Sequence, residues 1–140
     1  MTTTLDRAWL LAHLPHQGEM NLLDSVVSWD DSVLRALAIG HRGATNPLRS
    51  NGCLPSTAGI EYGAQAAAAH GALIGATGPG LLASVRAVRL HVDRLDDVEG
   101  ALEVLAEQLG GGAGGVLYRF AVTCQGKALV DGRVTVAFAP

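Results

Sequence analysis

The stretch 55–76, PSTAGIEYGAQAAAAHGALIGA, constrains the fold more than any other part of the chain. It is rich in alanine, the best helix former, and it carries few large side chains. No polar stripe runs along it, and a helix that is apolar on all sides is normally buried on all sides. Its glycines, at 59, 63, 71 and 75, weaken a helix, so we expect other backbone to approach closely there. The sequence therefore predicts one long buried helix around which the chain is organised.

Three polar residues interrupt this helix: Glu61, Gln65 and His70. A buried carboxylate is costly unless it is paired, hydrogen-bonded or used chemically, which makes Glu61 the first candidate for a functional residue. Gln65 lies four residues later on the same face, where it could orient the Glu61 carboxyl. His70 is nine residues from Glu61 and faces the opposite way, so we expect it to pack against the sheet or a dimer partner.

Length and composition limit the class of protein. A chain of 140 residues predicts one domain, 1–140, and only 16% charged residues, against a typical ~25%, suggests that part of the surface is hidden in an oligomer. A net charge of −3 and 4% aromatic residues argue against nucleic acid as a partner. We expect no membrane span, because no run of about 18 apolar residues occurs, and no signal-peptide pattern, which suggests the cytoplasm. The two cysteines lack the spacing of a disulfide framework or zinc site.

The remaining segments predict a sheet. A short helix is expected over 5–14, capped by Asp6 and ended by Pro15. Alternating apolar residues predict six strands, over 21–29, 33–40, 81–92, 101–107, 116–124 and 127–138, with a glycine-rich turn at 110–115 and a bulge or bend at Asp131 and Gly132. In the third strand, simple alternation places Arg86 and Arg89 on opposite faces. Runs of strands around one helix indicate an α+β fold, with an antiparallel sheet wrapped around the long helix.

Two motifs give this order a family resemblance. Residues 14–24, LPHQGEMNLLD, and residues 54–66, LPSTAGIEYGAQA, resemble the N-terminal and central-helix segments of the hot-dog 3-hydroxyacyl-acyl-carrier-protein dehydratases of type II fatty acid synthesis. The loop residues 46–48, NPL, resemble the same family. The GIEYGAQA helix and the shortened loop before it are most similar to a divergent branch, the dehydratase-like proteins encoded with aryl polyene pigment pathways.

The resemblance implies a hot-dog fold, an acyl group presented on the phosphopantetheine of acyl carrier protein, and a homodimer or a heterodimer with another hot-dog protein. It implies no metal and no organic cofactor. Glu61 matches the catalytic acidic residue of the family. The catalytic histidine of the family does not match, because the loop that should carry it is SNGCLP over 50–55.

Other residues could complete such a site. His16 is the best replacement base, because its segment resembles one that lies near the substrate tunnel of the family; the alternative is that it only pins the N-terminal loop. Backbone N–H groups at the start of the central helix could bind the thioester oxygen. The residues at this position are Cys53, Leu54, Pro55 and Ser56, and Gln65 completes the expected substrate-binding set. Cys53 is alternatively a nucleophile, since helix N-termini favour thiolates, or simply a small buried residue.

These residues leave three functions open. The first is dehydration of 3-hydroxyacyl thioesters on acyl carrier protein, in fatty acid or polyene biosynthesis. The second is thioester hydrolysis, in which Glu61 activates water or attacks the thioester. The third is a non-catalytic subunit that completes the dimer of another dehydratase, whose histidine would replace the one that is missing here.

Overall fold

The alanine-rich stretch forms the central helix of the computed structural model, which describes residues 4–76, 80–112 and 115–138. Two α-helices and six strands make up these residues: α1 (Arg7–His13), β1 (Ser25–Trp29), β2 (Val33–Ala38), α2 (Gly59–Leu73), β3 (Gly80–Leu90), β4 (Leu102–Gly112), β5 (Gly115–Cys124) and β6 (Lys127–Phe138). Short 3₁₀ turns cover Gly18–Met20, Gly40–Arg42 and Ser56–Ala58. Asp6 caps α1 as predicted, because its side chain accepts a hydrogen bond from the backbone N–H of Trp9.

The six strands form one antiparallel sheet in the order β1-β2-β4-β5-β6-β3, which confirms the predicted α+β architecture. One face of the sheet, which we call the inner face, packs against α2. The alternation predicted for β2 holds, since Leu34, Ala36 and Ala38 are buried. The same is true of β5, in which Tyr118 and Phe120 are fully buried. We call the opposite face of the sheet the outer face.

The α2 glycines make room for side chains of the sheet rather than for backbone, which corrects the expectation from the sequence. A Cβ atom at Gly59 would lie 2.8 Å from Cγ2 of Val130, and one at Gly63 would overlap the Phe120 ring. Gly75 has a different reason, because it follows the helix with φ of +104°. The N–H of Ala76 then reaches the carbonyl of Gly71 at 2.9 Å and closes the helix end.

Two strand details differ from the sequence prediction. The predicted turn at 110–115 is wrong in its extent, because β4 continues through Gly112 and β5 begins at Gly115. The predicted irregularity at Asp131 and Gly132 lies instead in the facing strand, where β3 carries one extra residue between Arg86 and Arg89. Both errors have one cause, since neighbouring strands set register and strand length through hydrogen bonds that local composition does not encode.

Candidate functional site

Glu61 lies in the first turn of α2 and is half-buried. The sequence suggested deeper burial, but the continuous buried run of the helix begins one residue later, at Tyr62. Within the described parts of the chain, the Glu61 carboxylate has no hydrogen bond and no ion pair. Glu61 is therefore a carboxylate held on a rigid helix and left open to a ligand or to a second chain.

Gln65 fixes the N-terminal segment to α2. Its side chain is fully buried, its Oε1 accepts a hydrogen bond from the N–H of Leu22 at 2.8 Å, and its Nε2 donates to the carbonyl of Met20 at 2.8 Å. These bonds go to backbone rather than to the Glu61 carboxyl that the sequence suggested. Gln65 thus acts in the structure as an anchor, and its role in binding substrate stays a prediction.

His16 is attached to the same side of α2 through that anchor. The Nδ2 of Asn21, the residue before Leu22, donates to the carbonyl of His16 at 3.3 Å. Glu61 and Gln65 are four residues apart and share one face of the helix, so the His16 segment is tied to the face that carries Glu61. The His16 ring is half-buried, and its Nδ1 atom is buried without a hydrogen-bond partner among the described residues.

The N–H groups of the loop before α2 are bonded within the chain, so the donor role of Cys53, Leu54, Pro55 and Ser56 stays a prediction. The N–H of Cys53 donates to the carbonyl of Ser50 at 3.1 Å. The N–H of Leu54 donates to Oδ1 of Asp96 at 2.8 Å, and that of Ser56 to the carbonyl of Asp93 at 3.1 Å. Proline has no N–H. These hydrogen bonds hold the loop in place.

Asp96 is a structural residue that the sequence analysis missed. Its carboxylate bonds Arg94, with the Arg94 Nε atom 3.1 Å from Oδ1, as well as the N–H of Leu54. The hydrogen bond from Arg94 is the main cause that holds the pKa of Asp96 well below its usual range, and the Leu54 bond acts in the same direction. The charged run DRLDD at 93–97 was the available signal, because such a run between two strands can bind a neighbouring loop.

The two most buried histidines have structural partners. The Nε2 of His70 lies 2.9 Å from the carbonyl of Asp30, which can only accept, so Nε2 carries the hydrogen. Nδ1 then accepts from the hydroxyl of Tyr118 at 2.8 Å. His41 donates from Nε2 to the carbonyl of Val98 at 2.9 Å. The prediction that His70 packs against the sheet is therefore confirmed.

Four described cavities lie elsewhere than Glu61. The largest, about 580 Å³, lies between residues 92–99 and the β5–β6 turn. Another of about 240 Å³ separates the N-terminal segment from Gly40 and Asn46. None of the four is lined by Glu61 or His16. Among the described residues, no group of three or more histidines, cysteines or carboxylates could hold a metal ion, and no described helix is long and apolar enough to cross a membrane.

Solved structures with the same architecture define the class of protein. The dehydratase heterocomplex ApeI:P from Xenorhabdus doucetiae contains a chain that is 25% identical, with a TM-score of 0.78 over 94% of this chain and 91% of that chain. A mutant of the thioesterase PA1618 from Pseudomonas aeruginosa is 18% identical, with a TM-score of 0.70 over 99% and 96%. A hypothetical thioesterase protein with coenzyme A from Streptococcus pneumoniae is 14% identical, with a TM-score of 0.61 over 81% and 84%. The chain has the hot-dog fold.

The family follows from the sequence itself. Residues 10–140 match the model of the ApeP-like family, described as ApeP dehydratase. The chain therefore belongs to the ApeP-like dehydratase family, which confirms the resemblance to the aryl polyene branch. A search of curated proteins found no match to this chain.

Proposed function

We propose that this chain acts in the dehydration of 3-hydroxyacyl thioesters carried on acyl carrier protein, as one subunit of a hot-dog dimer. Membership of a dehydratase family supports the reaction class. The observation that carries the proposal is the half-buried Glu61 carboxylate, which no described side chain or backbone group occupies. A carboxyl held on a rigid helix, with no hydrogen bond or ion pair among the described residues, is suited to give or take a proton from a substrate bound against it.

The proposed reaction needs one acid and one base. The base removes a proton from C2 of the acyl chain while Glu61, in its protonated form, gives a proton to the hydroxyl on C3. The C2–H and C3–O bonds break, the C2–C3 double bond forms, and one water leaves. The thioester carbonyl stabilises the charge that develops at C2, and hydrogen-bond donors at its oxygen assist.

The loop before α2 carries no histidine, so the base cannot come from the position at which the family carries it. His16 is the candidate within the chain, because hydrogen bonds tie its segment to the Glu61 face of α2. The other source is a histidine from a second hot-dog subunit. A related chain is part of a dehydratase heterocomplex, ApeI:P, which supports the expectation that this chain also pairs with a different hot-dog protein.

Strand β3 supports the dimer. It is one of the two edge strands of the sheet, and it is 11 residues long. Leu82, Val85 and Leu90 pair with inner-face residues of β6, yet they remain 38%, 40% and 48% exposed. Long edge strands with exposed apolar residues are normally covered, because they would otherwise pair with any available strand. We infer that a second hot-dog subunit covers this edge and extends the core.

A second candidate function is that of a non-catalytic subunit. The observation in its favour is the occupied loop: the N–H groups of Cys53, Leu54 and Ser56 are already bonded within the chain. In that case the partner subunit would supply both the histidine and the donors for the thioester oxygen. A third possibility, thioester hydrolysis, would release the free thiol of the carrier and leave no double bond.

Mass spectrometry of a 3-hydroxyacyl carrier protein separates these functions. The substrate is incubated with this chain alone, with a histidine-bearing hot-dog partner alone, and with the two co-purified. The proposal is supported if one water is lost with the thioester intact only in samples that contain this chain. Loss of water by the partner alone at the full rate favours the non-catalytic subunit, and release of free thiol favours the thioesterase.

The source of the base is tested in the same assay. In the active assembly of this chain with its hot-dog partner, a His16→Asn variant is expected to lose dehydration while its thermal midpoint stays close to that of the native assembly. Retained activity would assign the base to the partner subunit. His13→Asn is the matched control, because His13 is exposed on α1 and, among the described residues, its ring bonds the carbonyl of Trp9 and stacks on the Trp9 ring.

A further inference from the structure

Two cross-strand rows on the outer face of the sheet concentrate positive charge in an acidic chain. In the first row Arg86, Arg133, Arg119 and Glu107 lie opposite one another on β3, β6, β5 and β4. In the second row Arg89 lies opposite Asp131. Four of the ten lysines and arginines of the chain are therefore gathered here, although the net charge is −3. We call Arg86, Arg89, Arg119 and Arg133 the arginine face.

Half of the arginine face has no counter-charge. Arg119 bonds Glu107 at 2.9 Å, and Arg89 bonds Asp131 at 2.8 Å. Within the described residues no carboxylate lies within 4 Å of Arg86 or Arg133, although these two stand directly opposite each other. Like charges at directly opposed positions of a sheet are destabilising. The fold gains nothing from this pair, which suggests that the pair acts outside the chain.

The extra residue in β3 is what places the second arginine of that strand on this face. Arg133 and Asp131 are two residues apart on β6 and share a face, whereas their partners Arg86 and Arg89 are three apart. The bulge between them restores the common side. It costs strain, because Ala87 takes a φ of +55°, which residues with a Cβ atom rarely adopt. Without the bulge, Arg89 would point to the inner face.

Three of the four arginines, Arg89, Arg119 and Arg133, border an open groove of about 500 Å³. Its floor is made of Ala87, Val88, Ala121 and Gly132, and the one carboxylate that lines it, Asp131, is already paired with Arg89. Neighbouring strands are about 4.8 Å apart, so the row of three arginines spans about 10 Å. Carboxylates at i and i+4 of a helix have Cβ atoms about 5–6 Å apart, which is close to this spacing. A single phosphate is too small to engage the whole row.

We propose that the arginine face is a docking surface for an acidic helix of a partner protein, with carboxylates at i, i+4 spacing laid across β3, β6 and β5. Arg86 and Arg133 bind carboxylates of the docked helix, since neither has an ion-pair partner among the described residues. The small residues on the floor of the groove leave room for the backbone of that helix. The arginine face lies on the outer face of the sheet, whereas the proposed dimer contact uses the edge of β3 and its inner-face residues. The acidic helix and the second subunit can therefore bind at the same time. The proposal does not depend on Glu61 or on dehydration.

The test uses a fluorescein-labelled helical peptide with glutamates at every i, i+4 position of one face. The control peptide has the same composition with the glutamates spread around the helix. Fluorescence anisotropy at rising salt is measured for the native chain in its purified assembly. We expect salt-sensitive binding of the one-face peptide. Arg133→Glu or Arg86→Glu should weaken this binding about tenfold, because the new carboxylate repels the glutamates of the peptide that the arginine attracts. Arg42→Glu, an exposed arginine outside the sheet, is the matched control and should change binding less than about twofold.

Neutral variants separate docking from folding. Arg86→Gln and Arg133→Gln remove one of two repelling charges, so we expect thermal midpoints equal to or above the native one together with weaker peptide binding. A lower midpoint with unchanged binding would overturn the proposal. Equal binding of the two peptides, an equal effect of Arg42→Glu, or displacement of the peptide by inorganic tripolyphosphate at a lower concentration than by unlabelled peptide would also overturn it.

Discussion

The backbone N–H of Leu22 donates to Oε1 of Gln65 over 2.8 Å, across 43 positions of sequence and inside the core. Nε2 of the same side chain donates to the carbonyl of Met20, so one side-chain amide holds the backbone of the N-terminal segment at two positions. Replacement by Gln65→Leu leaves a buried N–H and carbonyl without partners. We expect a loss of about 2–4 kcal/mol of unfolding free energy, measured by urea denaturation.

The Gln65 prediction has an internal control. Gln17→Leu changes an amide of the same type in an exposed loop position, and its effect should stay within about 0.5 kcal/mol. A Gln65→Leu chain as stable as the native one would show that the N-terminal segment is held by other contacts.

The buried pair of Tyr118 and His70 predicts sensitivity to alkaline pH. Burial raises the pKa of Tyr118 above its usual value of about 10, because the phenolate is disfavoured in the core. The stabilisation is complete below the pKa of the unfolded tyrosine, about 10, and is lost as pH rises towards the folded value. Urea midpoints should therefore fall above about pH 10.

Tyr118→Phe isolates that effect. The variant leaves Nδ1 of His70 without its donor, so it should be less stable at pH 7 by about 1–3 kcal/mol. Its stability should also fall less steeply at alkaline pH than that of the native chain. Burial raises the pKa of Tyr62 as well, so part of the slope will remain. An unchanged slope in Tyr118→Phe would mean that Tyr118 is not the group responsible.

The open edge of β3 predicts a variant that disrupts assembly. Leu82→Glu places a charge among the exposed inner-face residues of this strand, and we expect dissociation of the dimer by sedimentation at micromolar concentration. Leu109→Glu is the matched control, because Leu109 is 46% exposed against 38% for Leu82 but lies on β4. A dimer that survives Leu82→Glu and dissociates with Leu109→Glu would move the interface to another surface.

Asp96 predicts how the loop before α2 responds to acid. Since hydrogen bonds from Arg94 and Leu54 hold the pKa of Asp96 below its usual value of about 3.9, its contribution to stability is full above that pH and is lost as pH falls further. Asp96→Asn removes the charge, so amide exchange at Leu54 should become faster at neutral pH. Asp97→Asn, at the neighbouring and more exposed carboxylate, should leave this amide unchanged.

The sequence predicted the fold because its strongest signals are periodic. The all-apolar helix and the alternation in β2 and β5 depend on burial alone, which side-chain character records directly. The β3 bulge was missed, since its extra residue is defined by pairing with β6, and Ala87 gives no local sign of a positive φ. Strand alternation therefore placed Arg86 and Arg89 on opposite faces, and the structure places them on one.

The candidate site was predicted less completely than the fold. Glu61 stood out because a carboxylate in an alanine-rich helix is unusual. The sequence could not predict that Gln65 anchors the N-terminal segment or that Asp96 bonds the loop before α2. The hydrogen bonds from Leu22 to Gln65 and from Leu54 to Asp96 each join residues more than 40 positions apart. The N–H groups of Leu54 and Ser56 looked free because their acceptors, at Asp96 and Asp93, are distant in sequence, whereas the N–H of Cys53 bonds the nearby carbonyl of Ser50.

Participation of the Glu61 carboxyl in proton transfer can be measured in the dehydration reaction itself. The rate of water loss from a 3-hydroxyacyl carrier protein is followed by mass spectrometry for the active assembly that contains the native chain, Glu61→Gln or Glu103→Gln. Glu103 is the control, because it is an exposed carboxylate on β4. We expect Glu61→Gln to slow dehydration by about 10²–10⁴-fold while Glu103→Gln keeps the native rate. A native rate with Glu61→Gln, in an assembly of unchanged size, would contradict this role of Glu61.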